Sequence, residues 1–143
     1  MIQYPIVFTT RVSTSAGSGR AWKSASQSGQ TFCAIPPEFD GPGGAFSPED
    51  FFAQAITNCF VATFQVMAEK SRVKFERLEV DGRLIVDRDE LKHPCMKDFH
   101  FEIKIYGVDQ PERINTLVKK TMESGFILNS VKTRLTYQAE IVS

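Results

Sequence analysis

The stretch SPEDFFAQAITNCF, residues 47–60, decides how the rest of the chain is read. Ser47 suits an N-cap, because its side-chain oxygen can accept an orphan amide of the first turn, and Pro48 suits the first helical position. Asp50, three residues on, stands as the reciprocal member of a capping box, and Phe46 can staple onto Phe51 across the cap. A start specified in four ways predicts a long helix. Phe52, Ile56, Cys59, Thr63, Val66 and Lys70 then recur at helical spacing, and Phe51, Ala55, Ala62 and Met67 widen the apolar face. The expected helix is fully buried until the charged EKSR at 69–72, and Cys59 falls about three turns in, on a buried or interfacial face.

Upstream of this helix, dense turn signals separate short extended pieces: QYPIVFTT, the Ser/Gly-rich STSAGSG, GRAWKSAS and QSGQTFCAI. These read as hairpins, and the Pro/Gly-rich tract at 36–44 reads as a loop without regular structure that leads into the helix. Downstream, FERLEVDGRLIVD and FHFEIKIYG read as two long strands. In the second, Phe99, Phe101, Ile103 and Ile105 alternate with polar residues. Ile114, Leu117, Val118 and Met122 form the stripe of a second amphipathic helix stopped at Gly125, FILNSV forms a short apolar turn, and Leu135, Tyr137, Ala139 and Ile141 alternate along a last strand. The order of elements predicts an α+β fold in a single domain spanning 1–143.

At 143 residues and 42% hydrophobic content, the chain can bury roughly 70% of its unfolded surface. Seventeen basic residues balance seventeen acidic ones. No electrostatic footprint for nucleic acid or an anionic membrane surface results, and near-zero net charge favours self-association. No apolar run approaches the roughly 20 residues of a membrane span, and the N-terminus lacks a signal-peptide pattern, so a cytoplasmic protein is expected. Three widely spaced cysteines, Cys33, Cys59 and Cys95, fit neither a secreted disulfide framework nor paired metal knuckles.

Taken alone, a buried cysteine is more often a small hydrophobe than a nucleophile, and reactivity requires access and a nearby cation. Arg20, in the Gly-flanked turn GSGRAWKS, supplies a candidate cation, and Glu49 at the helix start a carboxylate to orient it. Each also has a plainer role, Arg20 as a solvated hairpin residue and Glu49 as a favourable charge at a helix N-terminus. His93, Cys95 and His100 in KHPCMKDFH match no common zinc spacing, so no metal is expected. Cysteine acyl transfer would require His93 or His100 within hydrogen-bond reach of Cys59.

The motif SPEDFFAQAITNCF, together with the order of elements along nearly the whole chain, resembles the OsmC/Ohr family of thiol-dependent peroxidases. The resemblance implies an OsmC-like fold, an intertwined homodimer with sites built from both chains, and a peroxidatic thiol at Cys59. It also implies Glu49 as the helix-start glutamate and Arg20 as the arginine paired with it, with Arg11 in the same region as the alternative. Family enzymes carry a second cysteine in the turn after the second helix; here GFILN places Gly125 at that position. The implied function is reduction of organic hydroperoxides, with hydrogen peroxide as a further substrate, without metal or organic cofactor. An external thiol reductant, or movement of Cys33 or Cys95, would replace the missing second thiol. The alternative is a non-catalytic dimeric module that binds a small apolar ligand or partner.

Overall fold

In a computed structural model, which describes residues 2–143, the long helix α1 runs from Pro48–Ser71. Its start follows the capping chemistry expected of the sequence. The Ser47 amide donates to Asp50 Oδ2 at 2.9 Å and the Asp50 amide donates to Ser47 Oγ at 3.0 Å. The rings of Phe46 and Phe51 lie 5.5 Å apart, completing the staple.

The chain divides into two compact units, Met1–Phe52 and Ala53–Ser143, with the boundary inside α1. In the first, β1 (Thr10–Ser13), β2 (Trp22–Ser26) and β3 (Gly29–Cys33) form an antiparallel sheet in that order. The stretch QYPIVFTT is a strand only at its last residue. Thr10 pairs with Ser26, where β2 ends at a tight turn, so residues 2–9 have no strand of this sheet to pair with. Residues 2–9 are exposed, Phe8 at 85%. Within the Pro/Gly-rich connection, Pro37–Phe39 form one 3-10 turn, where no regular structure was expected. Proline at its start supplies the required φ without losing an amide bond.

The second unit holds β4 (Arg77–Arg88), β5 (Pro94–Tyr106), α2 (Ile114–Ser124) and β6 (Arg134–Val142). β4 and β5 pair antiparallel; β5 and β6 pair parallel, with α2 in the crossover. Phe99, Phe101, Ile103 and Ile105 are buried on one face of β5. On α1 the buried residues are Ile56, Phe60, Phe64 and Ala68; of the stripe expected from sequence Ile56 is among them, whereas Phe52, Cys59 and Val66 are not. The Phe60 and Phe101 rings lie 5.5 Å apart. α1 is therefore buried along one stripe rather than all round, and Val66 remains 47% exposed.

Gly82 on β4 sets how closely α1 approaches the sheet. A Cβ there would stand 2.3 Å from the Phe99 ring and 2.6 Å from Thr57 Oγ1. On α2 the inward residues are Ile114, Leu117, Val118 and Thr121. Thr121 replaces the expected Met122 because its hydroxyl is satisfied within the helix, donating to the Leu117 carbonyl at 2.8 Å. By length and composition α1 would be long and apolar enough to cross a membrane, contrary to the reading of the sequence. Here its aromatic stripe packs on β5.

Candidate functional site

Cys59 is half-buried on α1 while its neighbour Asn58 is exposed. The Asn58 amide is occupied by its own helix, donating to the Gln54 carbonyl at 2.8 Å and the Gln54 side chain at 2.9 Å. The polar pair in the aromatic wall thus splits, Asn58 facing solvent and Cys59 facing the turn after α2. There a Cβ built on Gly125 would lie 3.0 Å from Cys59 Sγ and 2.9 Å from the Leu128 side chain. On the helix itself Thr63 Oγ1 stands 4.0 Å from the sulfur.

Gly125 caps α2, as its position suggested. Its φ of −68° and ψ of 127° are open to any residue, so no left-handed cap is formed. Its amide donates to the Thr121 carbonyl at 3.2 Å and its carbonyl accepts the Asn129 amide at 2.9 Å. Glycine here is favoured by packing: without a Cβ this backbone lies close to the sulfur of Cys59 and the side chain of Leu128, and any larger residue would make that side chain shift. Leu128, in the 3-10 turn Leu128–Ser130, is buried and supplies an apolar wall.

Arg20 and Glu49 belong to the first unit. Arg20 is exposed, and among the described residues no ion pair joins it or Arg11 to Glu49. Glu49 Oε1 is buried and has no hydrogen-bond partner. The expected pair is therefore not formed within this chain, although the carboxylate oxygen is placed to accept a donor.

The other thiols sit in different surroundings. Cys33 is buried on β3 opposite Trp22. Burial pushes its thiol above the ordinary value; the amide of Ala34 works against this, while the Glu49 and Asp50 carboxylates add to it. Cys95 is half-buried opposite Asp87, near the turn of the β4–β5 hairpin. His93 lies in that turn, 3.9 Å from Asp89. His100 alternates with Phe99 and Phe101, so it faces away from α1, bonded to Thr136 at 2.7 Å and Glu102 at 2.9 Å. This placement removes the support for a Cys59–His100 acyl-transfer pair. Among the described residues no group of three or more His, Cys, Asp or Glu side chains could hold a metal ion.

One contact of the site was missed from the sequence although it was legible there: Thr63 is the i+4 neighbour of Cys59 on one helix face. The approach of Gly125 came only through the family resemblance, which put it where the second cysteine stands, because spacing alone does not join residues on two elements far apart in the chain.

A family model described as OsmC-like protein matches residues 41–140. YmaD of Bacillus subtilis (strain 168) is 33% identical over 57 residues, a match covering 40% of this chain and 38% of that protein. An OsmC-like protein of Vibrio cholerae superposes with a TM-score of 0.84 at 17% identity, over 95% of this chain and 100% of that one. An organic hydroperoxide resistance protein OsmC from Legionella pneumophila gives 0.76 at 20% identity over 99% and 100% of the two chains. OhrB, the organic hydroperoxide resistance protein of Bacillus subtilis, gives 0.70 at 16% identity over 96% and 98%. At these identities the structural likenesses establish the α+β fold, and the family model, spanning most of the chain, establishes the lineage: this protein belongs to the OsmC-like family.

Proposed function

We propose that this chain is a cytoplasmic thiol-dependent peroxidase acting on organic hydroperoxides, with Cys59 as nucleophile. The observation that carries the reading is the contrast between its thiols: Cys33 is buried and its thiol is pushed up, whereas Cys59 keeps partial access against an apolar wall. Reactive thiols need access, and apolar surroundings suit an alkyl hydroperoxide better than hydrogen peroxide. Two solved relatives named as organic hydroperoxide resistance proteins support the same reading.

In the proposed step the Cys59 thiolate attacks the distal peroxide oxygen and the O–O bond breaks. The alkoxide takes up a proton and leaves as alcohol, while Cys59 becomes a sulfenic acid. An external thiol then condenses with the sulfenic acid, releasing water and forming a mixed disulfide, and a second thiol returns Cys59 to its reduced form. Arg20 supplies the cation for the thiolate and the developing charge, with Glu49 orienting it. The buried, unpartnered Glu49 Oε1 supports that role, since a carboxylate oxygen without a donor costs about 1–3 kcal/mol and a guanidinium fork would satisfy it.

The active form proposed is an intertwined homodimer. α1 is apolar around most of its circumference yet buries one stripe, and Val7 and Phe8 stand 70% and 85% exposed, surface that a second copy would cover. A second reading, a dimeric module binding a small apolar ligand without turnover, draws its support from Gly125 in place of the family's second thiol.

The deciding experiment is intact mass after one equivalent of cumene hydroperoxide with a sulfenic-acid trap, run beside Cys59→Ser. A rapid adduct on the parent alone is expected. An unmodified Cys59, with Cys95 labelled by a generic thiol probe, would sink the peroxidase reading in favour of the ligand-binding module.

A further inference from the structure

We infer that Thr63 is a positioning residue for the Cys59 sulfur, its hydroxyl donating to the thiolate from one turn further along α1. The inference rests on the proposal that Cys59 is the reacting thiol. Helical threonines ordinarily return their hydroxyl to the carbonyl four residues back. Thr57 does so, donating to Ala53 at 2.9 Å, and Thr121 does so on α2, donating to Leu117 at 2.8 Å. Thr63 differs: its hydroxyl oxygen faces the sulfur of Cys59, at 4.0 Å. Either atom of the pair can be the donor at that separation, and hydrogen bonds to an ionised partner shorten.

The surroundings explain why this hydroxyl matters. A Cβ built on Gly125 would stand 3.0 Å from the sulfur and 2.9 Å from the side chain of the buried Leu128, so a backbone without a side chain approaches the sulfur with an apolar residue beside it. Neither can donate a hydrogen bond from a side chain, whereas Thr63 turns a hydroxyl toward the sulfur. Its donation holds the sulfur in one rotamer, turned toward the hydroxyl. Its position on the same helix makes the contact independent of any partner that completes the site.

The test is the rate at which iodoacetamide alkylates Cys59 in the native protein at neutral pH, site-resolved by peptide mass. Thr63→Val keeps the β-branched shape and removes the hydroxyl; Thr63→Ala removes it without bulk, in case valine strains the helix. Both should react about threefold more slowly than the parent, the scale of one modest hydrogen bond, and Thr63→Ser should restore the parent rate. A purely structural role predicts the opposite direction, since loosened packing exposes the thiol and speeds alkylation. Parent-like rates in the valine and alanine variants, or failure of serine to restore the rate, would overturn the inference. The peroxide reaction of the parent is followed alongside. Alkylation that depends on Thr63 in a protein whose Cys59 is never oxidised would leave the positioning role standing and reject the peroxidase reading.

Discussion

Replacing Gly125 by cysteine tests the geometry around Cys59 most directly. A Cβ built at Gly125 lies 3.0 Å from Cys59 Sγ. In a disulfide the Cβ of one half sits about 3 Å from the sulfur of the other, two bonds away, so the introduced thiol needs only the right rotamer to bond Cys59. The bond would close a loop of about 66 residues, which in the chain-entropy model stabilises the folded state by about 4 kcal/mol. Against this, the new Cβ meets Leu128 at 2.9 Å and must displace that buried side chain. Overpacking of this kind costs about 1 kcal/mol, leaving about 3 kcal/mol net, or roughly 10 °C in Tm for a domain of this size. In the reduced protein only the cost remains, so Gly125→Cys should melt below the parent with dithiothreitol and above it after mild oxidation. Free-thiol titration on the unfolded, unreduced protein should show Cys59 and the introduced thiol consumed together. An oxidised sample in which both still titrate, or melting that ignores dithiothreitol, would show that the turn after α2 does not lie against Cys59 as described.

Two further substitutions follow from other contacts. Gly82→Ala should lower the urea midpoint by an amount worth about 1–3 kcal/mol, because its methyl would meet the Phe99 ring and Thr57 Oγ1; Gly29→Ala, with nothing near its Cβ position, is the control. Equal midpoints for the two variants would refute the close approach of α1 to the sheet. For Cys33, burial raises the thiol above its ordinary 9.0, with Glu49 and Asp50 adding to the effect. The folded protein then holds this proton to higher pH than the unfolded chain. The associated stability is present below about pH 9 and lost as pH rises past it. Unfolding free energies of the parent relative to Cys33→Ala should therefore decline as pH rises through 9.0 and beyond, and a flat difference would refute the assignment.

What was legible in the sequence was what is satisfied locally. The capping box, the staple and the alternation along β5 each close within a few residues, so Ser47, Asp50, Phe46 and Phe51 could be read without knowing the fold. The buried stripe of α1 was not legible for the opposite reason. With apolar residues on most of its faces, periodicity admits the Ile56–Phe60–Phe64–Ala68 stripe and the one through Cys59 equally; the rings of β5 make the choice. The strand expected over QYPIVFTT failed because pairing depends on where the neighbouring strand ends, and β2 ends at Ser26. Gly125 was read correctly as the stop of α2, but glycine serves two ends, a left-handed backbone or a close approach, and only its φ of −68° shows that here it is the second.

That second use bears on the chemistry. In the first unit a buried carboxylate oxygen of Glu49 has no donor, and in the second the sulfur of the half-buried Cys59 faces one hydroxyl and the backbone of Gly125. A cysteine at position 125 would capture an oxidised Cys59 within the chain; a glycine there leaves the oxidised sulfur to whatever reaches it from outside. Intramolecular capture benefits from high effective concentration, so under the proposed cycle the chain with Gly125 would depend on the concentration of an added thiol in a way that the Gly125→Cys variant would not. Recycling of oxidised Cys59 should therefore rise in proportion to added thiol in the parent, while in the variant formation of the first disulfide should be independent of it. The same pair of proteins thus reports both the packing of one glycine and the order of the proposed cycle.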